Sequence, residues 1–231
     1  MHRIKLQAAC VVGVLLTTVS SAQVGSAVTT PGSRSFGQDS VKKSAQQSMQ
    51  SGLHQRALEA GGKLREIREP NEQDLAADLP TMIGKSKEIV LGHILRTRAI
   101  LAADGESVVT EYDVIVLRSW RGHRAEGSLL QIAVPVGSYR FRDGVQAESG
   151  VTGFSELMDG GRYMFFLGAG GVQANPGDSA AKLVGDGVQG ALLLDDGKVR
   201  PVLVHDGFWG QQQPMDVTAL LAQLQSMQKA Q

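Results

Sequence analysis

The chain has 231 residues, 23 basic against 23 acidic, a formal charge of zero, and a single cysteine, Cys10. A neutral chain lacks the electrostatic footprint of a nucleic-acid binder and carries no polybasic membrane patch. A lone thiol excludes an internal disulfide, and once Cys10 is removed with the leader it also excludes a cysteine nucleophile, a thiolate zinc site and a CxxC redox pair.

Residues 1–22 read as a secretory signal. His2, Arg3 and Lys5 give a basic start, residues 6–19 an apolar run, and Ser20, Ser21 and Ala22 the small residues before a cleavage point at Gln23. Export to the periplasm or the medium is expected. The apolar run falls short of the roughly 20 residues that a span needs, so no stable membrane insertion is expected after cleavage. Cys10 precedes most of that run, whereas an acylated cysteine would follow it. Without a covalent staple the fold must rest on apolar packing, which a domain of this size can supply.

Residues 23–72 are expected to form a disordered and then charged spacer. The first 30 are rich in Ser, Gln, Gly and Thr and hold Phe36 as their one large aromatic, too little apolar surface to offset chain entropy. Within 53–60 the pattern allows a short helix, ended by Gly61-Gly62. Order is expected from residue 73. Leu75, Leu79, Met82 and Ile83 recur at helical spacing, with Pro80 tolerable in an opening turn.

A series of strand-like runs separated by turn residues follows. The runs are 88–101, 107–120 and 128–136, the last with Pro135 at an edge or end. Residues 139–146 suggest a hairpin about Asp143-Gly144, and 162–167 a buried strand. Residues 168–180 read as a loop. Segments 182–184, 190–194 and 198–204 complete the β region to residue 207, with Asp196-Gly197 as a two-residue hairpin turn. Residues 208–231 are expected to hold a helix packed on the sheet, with Asp216 as cap, Met215 and Leu220 as a hydrophobic staple, and Leu220, Leu221, Leu224 and Met227 as its apolar stripe.

Several motifs are weighed as chemistry. GDGVQG at 185–190 matches a dinucleotide fingerprint in letters but opens no helix, so glycine freedom between strands is the better account. Gly84-Lys85-Ser86 resembles the end of a phosphate loop, yet Leu79 stands where its first glycine belongs. Four histidines remain beyond the leader: His54, His93, His123 and His205. None forms an HExxH pair; His205 beside Asp206 is the most suggestive metal-ligand pair, with His93 as a third donor, but isolated surface histidines explain them as well. Ser155 and Ser138 lack the second glycine of a nucleophile elbow. Glu111 and Asp113 share one strand face, expected to be solvated. No catalytic residue, metal or cofactor is assigned. The surface candidates are Trp120, Arg121, Tyr139 and Arg140, aromatic and basic residues near strand ends of the kind that anchor interfaces; Phe141 and Arg142 extend that cluster.

The sequence of a short helix, a strand with Gly92 and His93, a strand ending Trp120-Arg121-Gly122, and a strand opened by Gly161-Arg162-Tyr163 before an apolar run resembles the netrin-like domains and the inhibitory domain of tissue inhibitors of metalloproteinases, over about residues 74–168. The resemblance implies a mainly β fold, a small OB-type barrel with a short preceding helix and a C-terminal helix. The zinc-chelating amino-terminal cysteine of those inhibitors has no counterpart after export. The expectation is therefore an exported, non-enzymatic domain that binds a protein or a glycan outside the cytoplasm. The alternatives are an exported hydrolase or metalloprotein with a dispersed site, and a protease inhibitor without cysteine–zinc chelation.

Overall fold

The structure is a computed structural model that describes residues 51–172, 180–205 and 215–228. The expected leader, the stretch 23–50 and Asp206 lie outside the described residues, as does the segment 173–179 within the expected loop. Among the described residues the architecture is mainly β, with one large sheet, one small sheet and three short helices.

The first helix, α1 (Gly52–Glu59), corrects the spacer boundary. Ser51 caps it by accepting a hydrogen bond from His54 N. Leu53 and Ala57, four residues apart and so on one face, are buried in a cluster with Val108, Phe141, Val145 and Ala147. Burying Leu53 is worth about 1.5–3 kcal/mol. The strand β1 (Lys63–Arg68) follows and pairs in parallel, over its whole length, with β6 (Gln146–Val151). Residues 51–72 thus belong to the folded part. Their charge misleads because β1 is held by backbone hydrogen bonds and cross-strand ion pairs such as Arg65 with Glu148, 3.0 Å apart, rather than by an apolar face.

Helix α2 (Leu79–Lys85) opens as its composition demands. Asp78 Oδ1 accepts from Thr81 N at 2.8 Å, and Pro80 occupies the first turn, where a missing N–H costs nothing. Leu79, Met82 and Ile83 are its buried face.

Two fourteen-residue strands, β2 (Glu88–Leu101) and β3 (Val108–Arg121), form the spine of the large sheet. Strands β4 (Leu129–Val134), β7 (Arg162–Val172), β8 (Ala180–Leu183), β9 (Ala191–Asp195), β10 (Lys198–Pro201) and β11 (Met215–Asp216) complete it in the order β11-β10-β9-β7-β2-β3-β4-β8. β8 runs parallel to β4 and also pairs with β7, antiparallel. The residues 168–172 thus belong to β7 rather than to a loop. Pro135 lies just past the end of β4, and Pro201 lies beyond the two residues that β10 pairs with β11.

Alternation sorts the spine into two faces. Val90, Ile94, Tyr112, Val114, Val116, Leu130, Ile132, Val134, Tyr163 and Phe165 point into one continuous core. Ile89, Trp120, Met164, Phe166 and Leu192 point into a second core, closed by α2 and by Leu220 and Leu224 of α3 (Val217–Gln228). Asp216 Oδ1 accepts from Thr218 N at 2.8 Å at the start of α3. Gly92 allows β2 to cross β3 closely: a Cβ there would fall inside contact distance of Val114 Cγ1, beside a register shift in the ladder.

β5 (Gly137–Arg140) pairs with β6 to complete the small sheet. The turn joining them is a three-residue loop, Arg142-Asp143-Gly144: Phe141 N donates to Val145 O, and Gly144, at φ 92°, donates to Phe141 O. This is a type I turn with a bulge, one residue longer than the expected two-residue turn. The turn at Asp196-Gly197 does have two residues, with φ 46° and 72°, the backbone of a type I′ hairpin.

Candidate functional site

The cleft at the end of the β2–β3 pair begins with the ladder itself. Ile89 pairs with Arg121, which leaves Glu88 at the start of β2, and Lys87 just before it, beside the turn 122–124 that leaves β3. Lys87, Glu88, Gly122, His123 and Arg124 line an open cleft of about 570 Å³. Arg124 Nε donates to Glu88 Oε2 at 2.7 Å, and its Nη2 reaches Oε1 at 3.5 Å, so the carboxylate is held in a fork. Gly122 has φ 92° and lies against Glu88, where a Cβ would come within 2.8 Å of Glu88 Cγ. The turn therefore demands glycine for its dihedral and for room. Neither the Lys87 ammonium nor the His123 ring has a hydrogen bond or ion pair with another side chain among the described residues.

Trp120 and Arg121 border this cleft from the inside. Trp120 is 6% exposed and packs in the second core, with the Arg118 guanidinium 4.9 Å from its ring centroid. Arg121 Nη1 donates to Ile83 O at 2.6 Å and to Ser86 O at 3.0 Å. These carbonyls end α2, where a cation suits the helix dipole and satisfies acceptors that the helix leaves open. Both residues thus hold the wall behind the cleft.

Tyr139 and Arg140 lie elsewhere. Tyr139 packs edge-on to Phe141, centroids 5.1 Å apart, over the core that contains Val108, at the opposite end of β3 from Trp120. Arg140 is exposed. The four surface candidates therefore do not form one patch. Phe141, expected on a surface, is 3% exposed because α1 covers it.

A second polar arrangement crosses the sheet midway. Glu111 and Asp113 share a face of β3, as alternation requires, but the face is not simply solvated. Glu111 is 1% exposed and takes Arg98 at 2.5 Å and Gln131 Nε2 at 3.3 Å, all on Oε2. Asp113 takes Arg96 at 2.8 Å. Paired arginines directly across the ladder from each acid explain its burial. The local sequence of β3 hides this, since both partners lie on β2.

The remaining candidates are spread out. His54 Nε2 lies 2.8 Å from Asp143 Oδ2, and its ring packs 4.6 Å from Phe141. His205 Nε2 lies 3.9 Å from Glu69 Oε2. His93 pairs with Ile115 and Arg162 on its sheet neighbours. Among the described residues no group of three or more His, Cys, Asp or Glu could hold a metal ion. Ser155 donates its backbone N–H to Val202 O. The segment 185–190 sits between β8 and β9. Gly185, Asp186 and Gly187 have φ of 64°, 57° and 79°, and Asp186 takes an ion pair from Arg68.

No family model matches the chain, and no curated protein and no solved structure matches it either.

Proposed function

We propose that this chain is an exported, non-enzymatic binding domain, built on an OB-type barrel of the netrin-like kind, whose ligand is a protein or a glycan outside the cytoplasm. The barrel reading is supported by the strand circuit. β2, β3 and β4 are consecutive neighbours and β7 returns beside β2, the spatial order of a Greek key, while β8 bridges β4 to β7. Small barrels of this type present faces and end loops to oligosaccharides and other ligands, though a fold does not by itself dictate a function. Export rests on the basic start, apolar run and small residues of 1–22.

The observation that carries the binding reading is the cleft lined by Lys87, Glu88, Gly122, His123 and Arg124. Its floor is rigid, because Arg121 ties the end of α2 to β3 and Arg124 forks Glu88.

The experiment is a glycan array probed with the full chain, beside Lys87→Ala and Arg124→Ala variants. Saturable binding that either variant weakens at least tenfold is expected. Binding that neither variant changes, or turnover of any arrayed glycan, overturns the reading. Amino-terminal sequencing of the exported product is expected to start at Gln23; recovery of the intact leader on a cytosolic product overturns export.

A further inference from the structure

We propose that the cleft at the β2–β3 end recognises an oxyanion, a carboxylate or sulfate group on an acidic saccharide, with Lys87 and His123 as its two donors. This rests on the binding reading above and narrows it to one ligand chemistry.

The argument starts from local charge. The chain as a whole is neutral. The two segments that build the cleft, 83–88 and 118–126, hold five basic residues, Lys85, Lys87, Arg118, Arg121 and Arg124, against two acids, Glu88 and Glu126. Much of that charge is already engaged in the structure. Lys85 Nζ donates to the carbonyls of Asp74 and Leu75, Arg121 to those of Ile83 and Ser86, and Arg118 lies over Trp120. These cations face neutral acceptors or a ring, so no hydrogen-bonded carboxylate cancels their charge, and Arg118 and Arg121 carry theirs on the strand end that leads into the cleft.

The one acid in the cleft is already matched. Glu88 is forked by Arg124, and the close packing of Gly122 against its Cγ holds it in that position. A ligand cation would have to compete with a guanidinium for the same two oxygens. A ligand anion meets no such competitor. Lys87 and the exposed His123 line the same space with donors that no other described side chain engages. An ammonium, an imidazole and the outer edge of Arg124 are complementary to a single oxyanion.

The form of the ligand follows from what the cleft lacks. Of the Trp, Tyr and Arg anchors that build the centre of a protein interface, its lining holds Arg124 alone, and that guanidinium is already forked with Glu88. A space of about 570 Å³, open to solvent, suits one or two sugar rings bearing a charged group. An acidic peptide would share the anion but would leave its flanking side chains without a pocket.

The test uses the ¹⁵N-labelled full chain at low ionic strength, titrated separately with glucuronate, sulfate, glucose and tri-glutamate. Saturable shifts of the Gly122, His123 and Arg124 amides are expected with glucuronate and sulfate. Lys87→Ala and His123→Ala are each expected to weaken glucuronate at least fivefold, while Lys63→Ala, exposed on the small sheet, leaves it unchanged. Each variant is checked by its amide spectrum for an intact fold, and Lys87→Arg is expected to retain binding. Saturable shifts at the same amides with glucose, at an affinity equal to glucuronate, overturn the oxyanion assignment and leave the cleft as a binding site. Tri-glutamate binding more tightly than glucuronate overturns the saccharide assignment. An absence of shifts with all four probes, or equal losses in Lys63→Ala, overturns the proposal together with the reading beneath it.

Discussion

His54 and Asp143 stand 89 residues apart in the chain, yet Nε2 of one and Oδ2 of the other are 2.8 Å apart, with the histidine side chain only 6% exposed. The pair fastens α1 to the tip of the β5–β6 hairpin, over the ring of Phe141. The hydrogen bond from His54 holds the Asp143 carboxyl below its usual range. A depressed carboxyl contributes stability that is present above its unfolded value, about 3.9, and lost as pH falls through the folded value. Protection factors at the amides 53–59, taken against the intrinsic rate at each pH, are therefore expected to be high at neutral pH and to fall below about pH 4. Asp143→Asn should give fast exchange at those amides at every pH while leaving β2 and β3 protected. Equal protection in the variant would refute the latch.

Gln189 makes a comparable long-range tie. Its Oε1 accepts from Ala76 N at 2.6 Å and its Nε2 donates to Ala76 O at 2.8 Å, all buried, so one side chain takes the place of a strand partner for that residue. Gln189→Leu leaves two buried backbone groups without partners. Destabilisation of about 2–4 kcal/mol is expected from a urea titration. A loss within 0.5 kcal/mol, roughly the scale of a neutral surface change, would show that water replaces the amide.

Arg121 offers a direct choice between a structural and a binding role. If its bonds to Ile83 O and Ser86 O hold α2, Arg121→Ala should cost about 1.5–3 kcal/mol of stability, because charged donors are lost from two helix-end carbonyls. Glucuronate affinity should fall only as far as the cleft loosens. A variant of unchanged stability that no longer binds would place Arg121 in contact with the ligand.

Tyr112 and Tyr163 are buried in the core, and burial is the main cause that raises both hydroxyls above the usual tyrosine range. A raised acid ionises first in the unfolded chain. Stability is therefore fully present below about pH 10 and falls as pH rises above it. The urea midpoint is expected to drop steadily above that point. Tyr163→Phe, which gives up the hydrogen bond that its hydroxyl accepts from Met158 N, should cost about 1 kcal/mol at neutral pH and flatten the alkaline decline. An unchanged slope in that variant would assign the decline to other groups.

The long spine was legible because its chemistry is local. β2 spans the residues expected from its run, and β3 is shifted by a single residue, since alternation of Val, Ile and Tyr with polar residues is written in consecutive letters. The helical spacing of Leu79, Met82 and Ile83, with Pro80 in the opening turn, announced α2, and Asp196-Gly197 a tight hairpin, for the same reason. β1 was not legible. The letters KLREIR carry no buried face, and its partner Gln146–Val151 lies in another part of the chain. The cleft escaped for a similar cause. Lys87 and His123 mean little until β2 and β3 are paired in register. Trp120 and Arg121 drew attention by residue type, yet one fills a core and the other ends a helix.

The parallel match of β1 to β6 also constrains how the molecule comes together. Arg65 and Glu148 are 83 positions apart, so a chain made from its amino end must extend through β2, β3 and β4 of the large sheet before the smaller one can close. Until then Lys63–Arg68 is a charged ribbon with idle amide and carbonyl groups, and its many like and unlike charges discourage it from zipping onto a neighbouring nascent chain. The very polarity that concealed this ribbon from pattern reading protects it during that wait.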